Sequence, residues 1–350
     1  MSEAIVGKKF IFLDNTMGTG ATPDPRDDRD FKYEEVALGA APVNWDSGYD
    51  IEDELDIKIG IKNQNGSSSC VGQAWAYYLA VIEAVEHGIY DDVSAKAFYS
   101  QIYLPNGGAY IRDGAKLAVN YGALQELLVS SYDNGKPPTE AFIRRKDWMT
   151  DNLEAIAKRL QSKEYRTAGK TMEIIAMAIR DNYGCVGGVN GQNNGTWGGF
   201  EPKPPTIVEW GHSIFLGKYG IDSLGKFIAT PNSWGNRGTD KLHPDGWQKL
   251  REDYFDSKYM FNPWTLTDKP NPSSVSSVTL KIMADNDKKI IMEAEGPGRK
   301  GIMINGEMRE IFDPTNNRAT ASCLYALANN GIGTFVDTKT FNEIPKGKEF

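Results

Sequence analysis

The hydrophobic period of this 350-residue chain changes near Gly184, and that change restricts the fold more than any other feature. Upstream, apolar residues recur at helical spacing. Ala74, Tyr77, Tyr78, Val81, Ile82 and Val85 follow it between Cys70 and Glu86, and Gly88 ends the run. Further helices are expected over 94–103, 114–121, 148–163 and 170–183. Downstream, short strands are expected around 185–189, 212–219 and 226–231, with Gly-rich turns between them. Helices first and an antiparallel sheet second is a segregated α+β arrangement, whose active site would lie where the two layers meet.

Both ends extend this body. Residues 1–41 read as an N-terminal arm or short pro-like extension: strand-like Lys9-Phe10-Ile11-Phe12-Leu13, then a charged run with Gly and Pro through Asp30. The catalytic body is expected over 42–262. Pro263, Pro270 and Pro272 mark 263–276 as a linker. Strands at 278–282, 289–293 and 301–304, a short helix at 321–328 and a terminal strand at 332–336 make 277–350 a small β-rich accessory module with one helix.

Composition excludes several classes. A formal charge of -8 with only 39 Lys plus Arg gives no basic stripe to neutralise phosphates, so no nucleic-acid partner is expected. Cys70, Cys185 and Cys323 lie far apart and form no CxxC, which suggests neither a disulfide framework nor a thiolate zinc site; no metal and no cofactor are expected. No apolar run approaches the roughly 18 residues of a membrane span, and Met1-Ser2-Glu3-Ala4 lacks the start of a secretory signal. A cytoplasmic or particle-associated protein is the expectation.

The chemistry concentrates at Asn63-Gln64-Asn65-Gly66-Ser67-Ser68-Ser69-Cys70, Gly211-His212 and Asn232-Ser233-Trp234-Gly235. A helix N-terminus and a partner imidazolium lower a thiol pKa from about 8.5 by several units, and Cys70 stands at a helix start, with Ser67, Ser68 and Ser69 placed to satisfy free amides. His212 would take the thiol proton and return it to a leaving amine, and the Asn232 side-chain oxygen would fix the ring. Of the three histidines, it suits this role better than His87 at a helix end or His243 in a polar turn. The Gln64 side chain and the Cys70 amide would supply oxyanion donors. Trp234 would shield the histidine–asparagine bond from water.

These segments together resemble the papain-like cysteine peptidase family, in its disulfide-poor bacterial or phage form. Ala41-Pro42-Val43-Asn44-Trp45-Asp46 is similar to that family's mature start, and Asp245-Gly246-Trp247-Gln248-Lys249-Leu250 to its strand after the asparagine. The resemblance spans about 41–260. It implies a two-lobe fold, with a helical N-terminal lobe and an antiparallel β-sheet or barrel in the C-terminal lobe. It further implies an endopeptidase acting on protein or peptide chains, with Cys70 as nucleophile, His212 as base and acid, Asn232 as orienter, Gln64 as oxyanion donor and Trp234 as aromatic cover. Gly107 and Gly108 correspond to the family's glycine-rich substrate edge. Gly211, Glu209 and Trp197, the last within the Gly/Asn-rich 190–199 segment, are further candidates for the cleft.

Val71 replaces the usual tryptophan after the nucleophile, and Ser67 stands where secreted members place a disulfide cysteine. Control would come from the short arm, from enclosure in a phage particle or from another protein partner, bound through the arm or the C-terminal module. Two other classes use the same parts: a thiol transferase or deamidase, and an inactive peptide-binding or structural module.

Overall fold

The Ala-rich run after Cys70 forms the longest helix among the described residues, and it is buried on nearly every side. The computed structural model describes residues 19–35, 37, 41–88, 90–235, 246–255 and 257–267, with the backbone of short strands between 283 and 337. Its helices are α1 (Ile51–Leu55), α2 (Cys70–His87), α3 (Ala95–Ile102), α4 (Ile111–Asn120), α5 (Glu140–Ile143), α6 (Asp151–Ala157) and α7 (Met172–Asn182). Val71, Trp75, Tyr78 and Val81 of α2 are fully buried, as expected for a helix that is apolar all round. Trp75 donates its indole N–H to the Ile111 carbonyl at 3.0 Å. Its ring lies so near α4 that a Cβ on Gly114 would come within 2.2 Å of it.

Ser94, Thr139, Thr150 and Thr171 cap α3, α5, α6 and α7 by accepting from backbone N–H groups of the first turn. Each such cap is worth about 1 kcal/mol. The helices expected over 94–103, 148–163 and 170–183 are present with shorter bounds, and the one expected over 114–121 starts earlier, at Ile111.

The strands of the body are β1 (Ala21–Thr22), β2 (Tyr49–Asp50), β3 (Ala109–Tyr110), β4 (Tyr165–Thr167), β5 (Cys185–Gly191), β6 (Trp210–Leu216), β7 (Lys218–Asp222), β8 (Gly225–Thr230), β9 (Gln248–Arg251) and β10 (Met260–Leu266). Eight of them build two open antiparallel sheets, ordered β4-β10-β5-β6 and β2-β7-β8-β9, and β1 pairs with β3 in a separate parallel ladder. Neither sheet closes, so the barrel expectation is corrected to a pair of sheets. The single strand expected over 212–219 is two, because the chain changes sheet at Gly217, where a Cβ would meet the Phe215 ring at 2.8 Å. Segregation is partial as well: β2 and β4, from the helical half of the chain, each add an edge strand.

The linker boundary needs correction too. Pro263 lies inside β10, and a register shift between Phe261 and Trp264 absorbs it. A bulge tolerates the missing N–H that makes proline a strand breaker elsewhere. Trp264, Thr265 and Leu266 are buried, so the body extends through at least Leu266.

The chain divides into two compact units, Met1–Ile82 with Tyr90–Lys269 and Glu83–Ile89 with Pro270–Phe350. In the second, β11 (Met283–Ala284) pairs with β12 (Ile290–Ile291), and β13 (Lys300–Ile304) pairs with both β14 (Glu307–Phe312) and β15 (Thr334–Asp337), all antiparallel. The strands expected at 9–13 and 278–282, the helix at 321–328, residues 268–276 of the linker, and His243 and Cys323 lie outside the described residues. Among the described residues no helix is long and apolar enough to cross a membrane, and no cluster of His, Cys, Asp and Glu could hold a metal ion.

Candidate active site

Two loops and two strands converge on the first residue of α2. The loop before it is joined to the asparagine segment by backbone contacts: Gln64 N–H donates to Ser233 O at 2.8 Å, Gly235 N–H to Lys62 O at 2.9 Å, and Asn63 bridges Trp234. Tyr77, two turns into α2, donates its hydroxyl to Asn232 O at 2.8 Å. The helix that carries Cys70 and the loop that carries Asn232 are thereby held in register. Ser67 Oγ donates to Gln64 O and pairs with Ser69 Oγ, and it is the Ser69 carbonyl that accepts the Gln73 N–H.

His212 lies on β6, fully buried, with Nε2 2.9 Å from Asn232 Oδ1. Asn232 takes a left-handed backbone, φ 49°, which asparagine tolerates better than most residues. Its Oδ1 also accepts from the Ser233 N–H at 2.6 Å, and its Nδ2 donates to Gln248 Oε1. Gln248 in turn donates to the carbonyls of Trp197 and Gly199. Trp234 stacks on the imidazole with centroids 4.4 Å apart. Trp197 meets the imidazole edge-on at 6.2 Å and is 3% exposed, so it is a buried neighbour of the histidine and not an exposed cleft rim.

Backbone N–H groups of Ser213, Val71 and Ala21 point at the Cys70 sulfur. Ser213 follows His212, so the helix start and the histidine strand meet at the thiol. The other ring nitrogen, Nδ1, is buried and has no hydrogen-bond partner among the described residues. Burial pushes the thiol up to about 12 against the pull of those three N–H groups, and pushes His212 down to about 4 against its bond to Asn232. Both shifts favour the neutral forms and run opposite to those of the ion pair expected from the helix start and the partner imidazolium.

The arm accounts for that burial. Gly20 N–H donates to Gly211 O at 3.0 Å, and Ala109 N–H donates to Gly20 O at 2.9 Å, so one residue bridges both walls beside Cys70. β1 then runs parallel to β3, pairing Ala21 with Ala109 and Thr22 with Tyr110. A Cβ on Gly20 would lie 2.6 Å from Ser68 O and 2.9 Å from Gly108 Cα, so only glycine fits there. Asp24 anchors the next stretch: its carboxylate accepts from Arg112 N–H at 3.1 Å and from the Trp264 indole at 2.7 Å. The body's start docks on α7, where Glu173 accepts from Val43 N–H and from the Trp45 indole.

Gly107 and Gly108 have φ of 93° and 76°; Gly108 faces this strand, a Cβ there falling 2.0 Å from Gly20 O, whereas a Cβ on Gly107 would meet Arg144 and Ser68 at 3.2 Å. Gly211 faces the strand from the other wall. Glu209 is exposed, and its carboxylate accepts from Asn193 N–H. Gln64 is fully buried; its Oε1 accepts from Ser233 Oγ, and its Nε2 donates to Ser67 O at 2.8 Å. An amide nitrogen carries two donors, so one remains. Gln248, Tyr77, Ser213 and the Gly20-Ala21 strand were not singled out from sequence as site residues. Gly20 in a charged, Pro-containing run was the only local signal for any of them.

No protein-family model and no curated protein sequence matches the chain. Solved structures do. Xylellain, a cysteine protease from Xylella fastidiosa, aligns at 20% identity and TM-score 0.57, covering 74% of this chain and 98% of that one. Procathepsin B S9 from Trypanosoma congolense aligns at 12% identity and TM-score 0.52, covering 73% and 87%. The proform of the ragweed pollen cysteine protease Amb a 11 aligns at 17% identity and TM-score 0.51, covering 68% and 74%. With a helical region and open antiparallel sheets meeting at Cys70 and His212, the chain has the two-lobe fold of the papain-like cysteine proteases.

Proposed function

We propose that this chain is a cysteine endopeptidase that hydrolyses peptide bonds through a thioester, and that residues 19–24 hold it latent. The observation that carries the reading is His212, bonded to Asn232 through Nε2 under Trp234, with Nδ1 left without a partner on the strand that meets Cys70. Once the arm leaves, water and substrate enter. The desolvation that keeps the pair neutral is then relieved, and Nδ1 accepts the thiol proton.

The thiolate attacks the substrate carbonyl carbon. The oxyanion is received by the Cys70 N–H and the remaining Gln64 amide hydrogen. His212 gives its proton to the leaving amine as the C–N bond breaks and the thioester remains. Water, deprotonated by His212, then attacks the thioester carbonyl, and the thiol departs with the proton returned. Asn232 keeps Nδ1 aimed throughout, and Gln248 keeps Asn232 in place.

The test compares arm-released protein with its Cys70→Ala form on an unfolded protein substrate, with products read by mass spectrometry. New chain termini that disappear in the variant, at a loss of at least about a thousandfold, are the expected result. Retained cleavage in Cys70→Ala overturns the assignment, and side-chain deamidation without new termini overturns the endopeptidase reading.

A further inference from the structure

Beside the nucleophile the sheet places an unusual row of residues. β10, β5 and β6 are neighbours, and their register sets Phe261 against Gly188 and Gly188 against Ser213. Residues directly paired across antiparallel strands project to the same face. Gly188 supplies no side chain to that face, and the Phe261 ring takes the room: a Cβ on Gly188 would lie 2.2 Å from Phe261 Cε2 and 2.4 Å from Cζ. The ring tip reaches β6, where a Cβ on Gly211 would stand 3.3 Å from Phe261 Cζ. Ser213 Oγ, on the same face, is buried and has no hydrogen-bond partner among the described residues.

The arm measures what this niche admits. Ala21 brings its N–H to the Cys70 sulfur and its carbonyl oxygen to 2.4 Å from the Cβ position of Gly211. It shares one apolar cluster with Cys70, Ala109 and Phe261, at 8% exposure, with Phe261 at 6%. The residue the arm sets beside Cys70 thus has a one-carbon side chain.

We propose that Phe261 sets substrate choice: it closes the cleft beside Cys70, so that one substrate residue next to the scissile bond must be glycine, alanine or serine. This rests on the cysteine-peptidase reading. A larger side chain has to displace an aromatic ring already packed against backbone, which strand pairing resists. Serine is admitted because Ser213 Oγ offers its hydroxyl a partner.

The experiment uses the full chain carrying Gly20→Trp to expel the arm. Its Cys70 is alkylated by iodoacetamide and by peptidyl chloromethyl ketones bearing Ala, Leu or Phe at successive positions. At one position the Ala reagent is expected to react at least about tenfold faster than the Leu reagent, with Phe261→Ala bringing Leu level with Ala. Phe261→Leu, which keeps an apolar side chain in the strand, moves the ratio the same way by less, and circular dichroism establishes that each variant is folded.

Equal rates for Ala, Leu and Phe at every position, or a ratio that Phe261→Leu and Phe261→Ala leave unchanged, overturn the proposal while the peptidase reading stands. If iodoacetamide labels Cys70 but no peptidyl reagent gains over it, the peptide cleft itself is refuted, and the proposal with it. Absence of labelling by either refutes the nucleophile and the proposal together.

Discussion

On the histidine side of the site, His212 is held by Asn232, Asn232 by Gln248 and Gln248 by two backbone carbonyls, with Trp234 and Trp197 packed around the ring. On the cysteine side, the strand over Cys70 is held by main-chain bonds at Gly20, a two-residue pairing with β3 and the carboxylate of Asp24. The first set is buried, hydrogen-bonded in series and distributed over β6, β9, the asparagine loop and the turn that carries Trp197. Losing any member leaves a buried polar group unsatisfied, at about 1–3 kcal/mol. The second set belongs to one short segment whose groups all find water if it departs. A base must stay aimed through every turnover, whereas a cover is useful only if it can leave.

The sharpest way to break this comparison is to loosen the permanent side. Asn232→Ala frees the imidazole to rotate, and a misplaced base costs about a hundredfold in turnover, measured on arm-released protein. Gln248→Ala leaves Asn232 Nδ2 without its partner and is expected to lower turnover by about tenfold and melting stability by about 1–3 kcal/mol. If both variants keep full activity, the series of bonds is not what aims His212.

Loosening the other side should act in the opposite direction. Gly20→Trp cannot fit between Ser68 and Gly108, so it is expected to raise the rate of Cys70 alkylation near neutral pH by at least about tenfold. The onset of labelling should move to lower pH, because burial is what pushes the thiol up to about 12. Identical pH profiles with and without the substitution would mean that the arm does not control the thiol.

A smaller effect concerns Asp24, pushed up to about 6 chiefly by burial, with the Arg112 N–H, the Trp264 indole and the Arg112 charge pulling it down and Asp113 adding to the rise. The docked arm thus holds this proton more tightly than a released arm, whose Asp has the ordinary value near 3.9. Docking is therefore strongest below about pH 4 and weakens as pH rises through about 6. Between those values labelling of Cys70 should gain from arm release, and Asp24→Asn should flatten that part of the profile. A profile unchanged by Asp24→Asn would remove Asp24 as the anchor.

Much of the site was legible because its parts are local. A cysteine at the start of an apolar helical run, a histidine opening an alternating strand and an Asn-Ser-Trp-Gly turn each carry their signal within a few residues, and α2 formed where its spacing placed it. Phe261, Gly188 and Ser213 carry no such signal. Their meeting depends on the order β10-β5-β6 and on a register that period-two patterning leaves open by an even number of residues. Pro263 misled for a related reason: a proline reads as a boundary, yet the bulge between Phe261 and Trp264 lets a strand continue through it.

The sequence by itself determined which side chains are candidates for the chemistry and where most of the helices and strands lie, since periodicity, capping residues and turn residues act over one or two turns of chain. Only the tertiary structure decided that the sheets stay open, that Gln248 stands behind Asn232, that Phe261 fills the room beside Gly188, and that Gly20 and Ala21 lie across Cys70 and leave its thiol protonated. Those outcomes depend on contacts between residues far apart in the chain and on the exclusion of water they produce, and desolvation exists only once the chain has closed around the group.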